Sequence, residues 1–319
     1  MNRRNFLKQS GGAMATLPLV SLDSIFDWST AQRTAQSIPA PVLNRLGITT
    51  VCFRERFPAT RTKGAPPPPE GDLTLLTAPQ FIADSLGLHN VEVWSAHFAE
   101  QTVEYCQKVK AAAAAVGSKI TNIQIDGPDN LSDPDEAKRK ASIESIKQWM
   151  DRAAALGAPR VRANTGGGKP EAWDVNRTAD SFKQLADYGK KHGVMLLIEN
   201  HTGYSANIDH VVELVKAVND PNCRVISDWG NTPSTSPQDR LAGLSKLLPY
   251  VELVSAKELD FDDQNKHVSY DIAPLVKATE ASGFKGIYSI EFYSNRPPRD
   301  IVAAAKDEMH TIAASISRT

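Results

Sequence analysis

Three carboxylates stand where apolar runs end in the second half of the sequence. Glu199 follows Leu-Leu-Ile, Asp228 follows Val-Ile-Ser, and Glu291 follows Tyr-Ser-Ile. If these runs are neighbouring buried strands, their acidic ends repel one another unless a cation joins them. Carboxylate oxygens around a cation are typical of a divalent metal site. Each acid alone is equally compatible with a helix N-cap or a surface charge, so the hypothesis depends on the three together.

The elements that would position these acids alternate along the chain. Short apolar and β-branched runs alternate with amphipathic or alanine-rich segments from Leu46 onward, and near-continuous hydrophobicity is typical of parallel strands covered by helices. Eight such repeats predict a single (β/α)8 TIM barrel, whose strands present their carboxyl ends to the active site. A doubly wound open sheet is the alternative, but no glycine-rich nucleotide motif follows the first strand. The predicted strands are 46–53, 90–95, 119–126, 160–165, 193–200, 223–228, 250–257 and 286–292, and the clearest helices are 102–116, 135–156, 178–192, 208–218 and 272–282.

Four short motifs at these strand ends carry a family resemblance. They read ENHTG at 199–203, DWGN at 228–231, SAKE at 255–258 and GIYSIE at 286–291. In this order they resemble the second half of the xylose isomerase-like TIM-barrel superfamily, in particular its sugar phosphate isomerase/epimerase group. The resemblance covers roughly residues 46–316 and is strongest after Gly193. No motif is specific alone, whereas their order and spacing together are.

The resemblance implies a divalent metal ion held by Glu199, Asp228 and Glu291. The oxygen-rich ligand set favours Mn²⁺ or Mg²⁺, and Zn²⁺ becomes competitive if His201 also coordinates. Ser255 stands where the family usually has a fourth ligand, a histidine, so the fourth ligand is open. His201 lies two residues after Glu199 and points to the same side of the strand. It either replaces the missing ligand or contacts the substrate.

The resemblance also implies how the catalytic work is divided. Glu199 or Glu291 removes the proton next to a sugar carbonyl, and the opposite glutamate returns it. Lys257 is predicted to stabilise the developing oxyanion, since a protonated lysine has no lone pair to offer a metal. The alternative for Lys257 is a structural ion pair with Glu258 or Asp260.

Further polar and aromatic residues near strand ends are candidates for binding the sugar. The face of Trp94 is suited to stacking on a sugar ring, and alternation along the fourth strand turns Arg162 and Asn164 toward the site. The predicted substrate-binding residues are Glu92, Trp94, His97, Arg162, Asn164, Asn231 and Ser255.

Five other residues have patterns that fit packing as well as function. The polar residues of the third strand, Asn122, Gln124 and Asp126, either point into the pocket or fill the barrel. Tyr288 and Tyr293, on either side of Glu291, are predicted to be packing residues.

These residues predict a metal-dependent sugar isomerase or epimerase that acts on a keto-sugar through an enediolate. If the next carbon carries a leaving group, the same site would act as a 3-keto-glycoside lyase by β-elimination. A non-catalytic exported sugar-binding barrel is the third possibility, because the usual strand-seven histidine is missing. A nuclease is disfavoured: 36 Lys and Arg against 37 Asp and Glu give no basic excess for a phosphate backbone.

The chain begins with a segment that resembles a twin-arginine export signal. Arg3-Arg4 is followed by Phe6-Leu7-Lys8 and a weakly apolar run. We therefore expect a signal peptide over 1–35, a barrel over 36–319 and a periplasmic or exported protein. A free or glycosidic keto-sugar suits that location better than a sugar phosphate. The expected partner is a small carbohydrate, with no membrane span and no nucleic acid, and an oligomer is possible.

Overall fold

Eight parallel strands form the centre of the fold. The computed structural model describes residues 38–232, 234, 236–294 and 296–317. The strands pair in sequence order, and β8 pairs with β1 to close the barrel, so the predicted (β/α)8 TIM barrel is confirmed. The strands are β1 (Leu46–Thr49), β2 (Asn90–Trp94), β3 (Lys119–Gln124), β4 (Arg160–Arg162), β5 (Met195–Glu199), β6 (Cys223–Asp228), β7 (Val251–Glu258) and β8 (Ile287–Phe292).

Helices connect the strands and cover the outside of the barrel. A short helix precedes β1, and at least one helix follows every strand. The α-helices are α1 (Ala40–Leu43), α2 (Ala78–Leu86), α3 (Val103–Ala115), α4 (Glu136–Leu156), α5 (Val175–His192), α6 (Ile208–Val218), α7 (Pro237–Ser245), α8 (Ala273–Ala281) and α9 (Ile301–Ile316).

Capping residues decide where several of these helices begin and end. The side chain of Asp135 accepts two backbone N–H groups at the start of α4, and Asp174 accepts one at the start of α5. Because Asp174 caps α5, this helix begins three residues earlier than the pattern predicts. Gly157 and Gly193 end α4 and α5 in the left-handed conformation, which costs glycine little.

The first strand is shorter than its apolar run. The predicted strand extends to residue 53, but β1 ends at Thr49 and residues 50–56 form a 3-10 helix. The Thr49 hydroxyl accepts the backbone N–H of Val51 and so caps this turn. The chain therefore leaves the barrel at its carboxyl end and forms the rim of the site.

The inside of the barrel has an apolar layer beneath a polar one. Leu197, Ile226 and Leu253, on β5, β6 and β7, form a buried cluster separate from the main core between strands and helices. Side chains alternate along a strand, so residues two positions later also point inward. These residues are Glu199, Asp228 and Ser255. The apolar layer thus forms the floor under the candidate site.

The predicted signal segment, residues 1–35, lies outside the described residues, so export and the division near residue 35 stay predictions. Across the part of the chain that the structure describes, no helix has both the length and the apolar character needed to cross a membrane.

Candidate active site

The strand register brings the three predicted acids to one end of the barrel. Asp228 pairs with Ser255 across β6 and β7, and Lys257 pairs with Glu291 across β7 and β8. Glu199, Asp228 and Glu291 are all at least 95 % buried, with 2 %, 0 % and 5 % of their surfaces exposed. They lie at the carboxyl ends of the strands, where TIM barrels have their active sites.

Ser255 and Lys257 occupy the space between Asp228 and Glu291. The Ser255 hydroxyl lies 3.2 Å from Asp228 Oδ2 and 3.3 Å from Glu291 Oε2, and it can donate its proton to either. Lys257 Nζ lies 2.9 Å from Glu291 Oε1 and 3.6 Å from Asp228 Oδ2. Among the described residues, Lys257 therefore forms ion pairs with these two acids and not with Glu258 or Asp260.

Two amides complete the hydrogen bonding of these carboxylates. Asn231 donates its backbone N–H to Asp228 Oδ1 at 2.7 Å and its side-chain amide to Oδ2 at 2.8 Å. Gln124 donates its amide to Glu291 Oε2 at 2.9 Å. Every carboxylate oxygen of Asp228 and Glu291 thus has a donor from the protein. Asn231, predicted to bind substrate, thus holds Asp228 through its backbone N–H and one N–H of its side-chain amide.

Arg162 links the third acid, Glu199, to Asp126. Its Nε lies 2.9 Å from Glu199 Oε2, and its Nη1 donates to Asp126 Oδ1 at 2.6 Å. The Nε–H does not point at Glu199 well enough for a hydrogen bond, so this contact is an ion pair only. Within the described protein, Arg162 Nε and Glu199 Oε2 therefore lack hydrogen-bond partners although both atoms are buried. Such unused groups are suited to a bound hydroxyl.

The two glutamates have pKa values shifted in opposite directions. Burial raises the pKa of Glu199 well above its usual value; Arg162 opposes this shift, and the charges of Asp228 and Glu291 add to it. Burial acts on Glu291 too, but the Lys257 ammonium outweighs it and leaves the pKa of Glu291 lowered. Of the two glutamates, Glu199 on β5 is therefore the one more readily protonated, and Glu291 on β8 is the one more readily ionised.

The two buried cations keep their charge. Burial alone would lower the pKa of Lys257, but the carboxylates of Glu291, Asp228 and Glu199 outweigh it and leave that pKa raised. For Arg162 the effect of burial is likewise outweighed, by Glu199 and Asp126, and its pKa is raised. A fixed ammonium and a fixed guanidinium thus face the three acids.

His201 lies at the edge of this cluster. Its ring is half-buried, and Nδ1 lies 3.3 Å from the Thr202 hydroxyl. Burial, reinforced by the Arg162 charge, lowers the pKa of His201 to about 4, so the imidazole is neutral near pH 7. In the described part of the chain, neither ring nitrogen forms an ion pair with the three acids. His201 therefore remains a candidate for contacting the substrate.

The structure does not bring the predicted metal ligands together as a metal site. The described residues contain no group of three or more His, Cys, Asp or Glu side chains arranged to hold a metal ion. The predicted ligands Glu199, Asp228, Glu291 and His201 are therefore not assembled as a ligand set. The reason is physical: the hydroxyl of Ser255 and the ammonium of Lys257 bridge two of the acids, and Arg162 contacts the third.

Three of the predicted substrate-binding residues form a more open edge around Asp126. Trp94 donates its indole N–H to Asp126 Oδ2 at 2.8 Å, and Asn164 donates its amide to Oδ1 at 2.9 Å. Arg162 donates a hydrogen bond to the same Asp126 carboxylate. The Asp126 side chain is 33 % exposed, and the charge of Arg162 overcomes burial and lowers its pKa to about 2. This edge is the more exposed side of the cluster.

Two other predicted substrate-binding residues are placed elsewhere. Glu92, only 1 % exposed, accepts hydrogen bonds from Ser289 at 2.5 Å and Asn122 at 2.6 Å inside the barrel. Burial raises the pKa of Glu92 to about 7. His97 is buried with its ring stacked on Phe57 at 3.7 Å. Glu92 therefore fills the barrel, and His97 packs the loop after β1.

The packing prediction is confirmed for Tyr288 and wrong for Tyr293. Tyr288 is fully buried, whereas Tyr293 is 50 % exposed. The Tyr293 ring lies 5.6 Å from Lys257 Nζ and 4.6 Å from the Arg54 guanidinium carbon. The sequence position of Tyr293, directly after β8, indicates a place at the site, because the site lies at the carboxyl ends of the barrel strands.

Comparison with known proteins identifies relatives of this fold. The model of the family described as "Xylose isomerase-like TIM barrel" matches residues 81–312. No curated protein matches the chain significantly.

Several solved structures are similar over most of the chain. A D-tagatose 3-epimerase-like protein is 15% identical with a TM-score of 0.65, covering 86% of this chain and 98% of its own. A xylose isomerase-like TIM barrel protein from Mycobacterium smegmatis, in complex with magnesium, is 17% identical with a TM-score of 0.60, covering 85% and 97%. A 3-keto-D-glucoside 4-epimerase from E. coli is 14% identical with a TM-score of 0.60, covering 85% and 99%. At these identities the likeness shows a shared fold.

Proposed function

The chain belongs to the xylose isomerase-like TIM barrel family, and from this premise we propose that it is a sugar isomerase or epimerase acting beside the carbonyl of a keto-sugar. The observation that carries the proposal is the pair Glu199 and Glu291. These glutamates stand on separate walls, β5 and β8, and each contacts a buried cation. Their environments shift their pKa values apart, as a proton donor and a proton acceptor require.

The proposed reaction is a proton transfer through an enediolate. Ionised Glu291 takes the proton from the carbon next to the carbonyl. The C–H electron pair becomes the C=C bond, and the carbonyl π pair moves onto oxygen. The Lys257 ammonium stabilises this oxyanion. Protonated Glu199 then gives a proton to the opposite face of the same carbon, and the oxyanion electron pair re-forms the carbonyl, which yields the epimer. If the former carbonyl carbon is protonated instead, the proton of the adjacent enediol hydroxyl passes to the oxyanion and the carbonyl forms at the neighbouring carbon, which yields the isomer.

The unused hydrogen-bonding groups would orient the sugar. The Arg162 Nε–H can donate to a sugar hydroxyl, and Glu199 Oε2 can form a hydrogen bond with another. The edge formed by Trp94, Asp126 and Asn164 offers further hydrogen-bonding groups to hydroxyls. The exposed ring of Tyr293, near Lys257, is suited to stacking on the sugar ring. Together these groups would hold the reacting carbon between the two glutamates.

The sequence also predicts a divalent metal ion, and magnesium is recorded with one similar structure. The donor atoms described above do not fit such an ion in this chain, and every proposed step uses side chains alone.

The proposal can be tested by following proton exchange in D2O by NMR. D-tagatose and a 3-keto-D-glucoside are suitable first probes, since enzymes named for related sugars share the fold. We expect deuterium to enter at the carbon beside the carbonyl together with formation of the epimer or isomer. The substrate for this test is the epimer whose proton Glu291 removes. With it, Glu199→Gln should retain proton exchange but block epimerisation. Glu291→Gln should lower both rates by about 10²–10⁴-fold.

Other outcomes would contradict the proposal. Release of the aglycone without an epimer would establish the lyase reaction instead. Sugar binding with neither exchange nor product, across keto-sugars of both classes, would indicate a binding protein.

We also propose that the protein is exported by the twin-arginine route, on the pattern Arg3-Arg4 with Phe6-Leu7-Lys8. Outside the cytoplasm, a free or glycosidic keto-sugar is a better substrate than a sugar phosphate.

A further inference from the structure

Building on the proposed function, we propose that this barrel transfers the proton without a bound metal ion, and that Lys257 and Arg162 supply the positive charge. In this chain Ser255 replaces the histidine of the family pattern, and Lys257 and Arg162 contact the acids that the resemblance assigns to a metal.

The first observation is the occupied space between Asp228 and Glu291. A hard divalent ion binds carboxylate oxygens at about 2.0–2.6 Å. Lys257 Nζ already lies 2.9 Å and 3.6 Å from oxygens of these two acids, and the Ser255 hydroxyl lies 3.2 Å and 3.3 Å from them. An ion shared by Asp228 and Glu291 would have to displace both groups. A histidine at position 255 would offer a lone pair, whereas Ser255 donates a hydrogen bond.

The second observation is independent and lies across the barrel. Glu199 is in contact with Arg162 at 2.9 Å, and Arg162 is itself 98 % buried. A divalent ion at Glu199 would stand next to a guanidinium that cannot lose its proton. Each wall of the site therefore already has a protein cation against its acid, and both cations oppose the binding of a divalent ion.

The proposed proton transfer can use the positive charges of Lys257 and Arg162 in place of a metal ion. A metal ion would polarise the carbonyl and hold the enediolate oxygen. An ammonium held between two acids can donate a hydrogen bond to the same oxygen, and its charge favours the enediolate over the neutral ketone. Arg162 Nε–H, unused by protein acceptors in the described chain, is a second donor for a substrate oxygen.

The test measures metal binding directly. The full chain is treated with chelator, its metal content is determined by plasma mass spectrometry, and Mn²⁺ is titrated while the free ion is followed by electron paramagnetic resonance. We expect wild-type protein to bind Mn²⁺ no more tightly than about 1 mM. Lys257→Gln removes one repelling charge and frees Glu291, so it should bind at least about 100-fold more tightly. Lys246→Gln changes an exposed lysine that pairs with Asp209 and should match wild type.

A second variant keeps the test decisive if Lys257→Gln fails to fold. Ser255→His provides the lone pair that the family pattern has there but retains both cations, so we expect it to bind Mn²⁺ as weakly as wild type. The proposal is overturned if wild-type protein binds one Mn²⁺ per chain in the micromolar range and Asp228→Asn abolishes that binding. It is equally overturned if Ser255→His alone creates a micromolar site.

Failure of this inference and failure of the proposed function give different results. Metal binding is measured without any sugar, so it decides the inference even if no substrate is found. Where exchange in D2O is observed, it should continue at an unchanged rate in excess chelator. Exchange that stops with chelator and returns with Mn²⁺ would leave the isomerase intact and refute metal independence.

Discussion

Lys257 and Glu291 are register partners on β7 and β8, and their charged groups lie 2.9 Å apart. The pairing of two barrel strands, not a flexible loop, thus sets this ion pair. Gly230 packs against the stem of the lysine so closely that a Cβ there would lie 2.7 Å from Lys257 Cγ. The ammonium is therefore held in place before any ligand arrives, as effective electrostatic catalysis requires.

Replacing Lys257 should impair the transition state more than ground-state binding. We expect Lys257→Met to lower kcat by about 10²–10³-fold. Removing the ammonium also removes the group that lowers the pKa of Glu291, so the acidic limb of the kcat/KM profile should move to higher pH. Lys246→Met, at an exposed ion pair, is the matched control and should leave the profile unchanged. A profile for Lys257→Met with its acidic limb unmoved would assign the lysine to stability alone.

Gly230 should act as a positioning residue for that lysine. In Gly230→Ala the added methyl would push the Lys257 stem away, with all charged groups of the site retained. We expect kcat to fall about 10–100-fold with little change in KM. Gly127→Ala is the matched control, because its Cβ would meet only Asp129 Oδ2, at 3.7 Å. Normal turnover in Gly230→Ala would show that the lysine can shift without cost.

Tyr293 should contribute to sugar binding and not to proton transfer. Its ring is 50 % exposed and lies 5.6 Å from Lys257 Nζ. Loss of a stacking face should raise KM in Tyr293→Ala by about 5–10-fold, an aromatic contact of roughly 1 kcal/mol, with kcat nearly unchanged. Tyr293→Phe keeps the face and should behave as wild type. Steady-state kinetics of both variants would reveal a larger effect on kcat if the assignment is wrong.

The sequence predicts the positions of the three acids well because each one ends an apolar run. A strand that is buried on both faces is nearly continuous in hydrophobicity, so the first carboxylate marks its end. Glu199, Asp228 and Glu291 are found at these ends in a closed barrel.

The cations that contact these acids cannot be predicted from the same pattern of apolar runs. That Arg162 contacts Glu199 depends on the register of β4 against β5, and that Lys257 contacts Glu291 depends on the register of β7 against β8. Neither register can be read from the individual strands. The expectation of a metal ion rested on the three acids and on the family resemblance, whereas the cations that contact these acids, Lys257 and Arg162, come from other strands.

Export can be tested without reference to the barrel. Arg3-Arg4 with Phe6-Leu7-Lys8 predicts the twin-arginine route, in which a receptor reads the paired arginines. Replacing both arginines with lysine should leave the protein in the cytoplasm, as cell fractionation and immunoblotting would show. Replacing Lys63 and Lys108 with arginine, far from the signal, is a control that should not alter delivery. Periplasmic protein at wild-type level in the double-lysine variant would contradict the prediction.

A buried acid pair beside the site should make the protein less stable as pH rises. Glu308 on α9 is 1 % exposed, and both of its carboxyl oxygens lack hydrogen-bond partners within the described protein. Burial, with the charges of Glu258 and Asp307 adding to it, raises the pKa of Glu308 well above its usual value. Burial likewise raises the pKa of Glu258 to about 8. Both groups are therefore best accommodated in the protonated form.

The direction of the pH dependence follows from these raised values. Below the pKa of the unfolded chain, 4.5, both states hold these protons, and the pair makes no pH-dependent contribution to stability. As pH rises to about 8, the unfolded chain releases protons that the folded chain retains, so the free energy of unfolding decreases. Glu308→Gln removes one of the two charges. It should therefore be more stable than wild type by about 1–3 kcal/mol at pH 8, and the difference should disappear near pH 4.5.

Urea unfolding of both proteins at pH 5 and pH 8 measures this difference. Glu144→Gln, at an exposed glutamate paired with Lys147, is the control and should change stability by about 0–1 kcal/mol at either pH. Equal stability of Glu308→Gln and wild type at pH 8 would mean that a donor reaches the Glu308 carboxylate. A less stable Glu308→Gln at pH 8 would mean that its negative charge is used by the fold. In the expected case, the raised pKa values of Glu258 and Glu308 reflect burial without compensation, in contrast to Glu291, where the Lys257 ammonium outweighs burial and lowers the pKa.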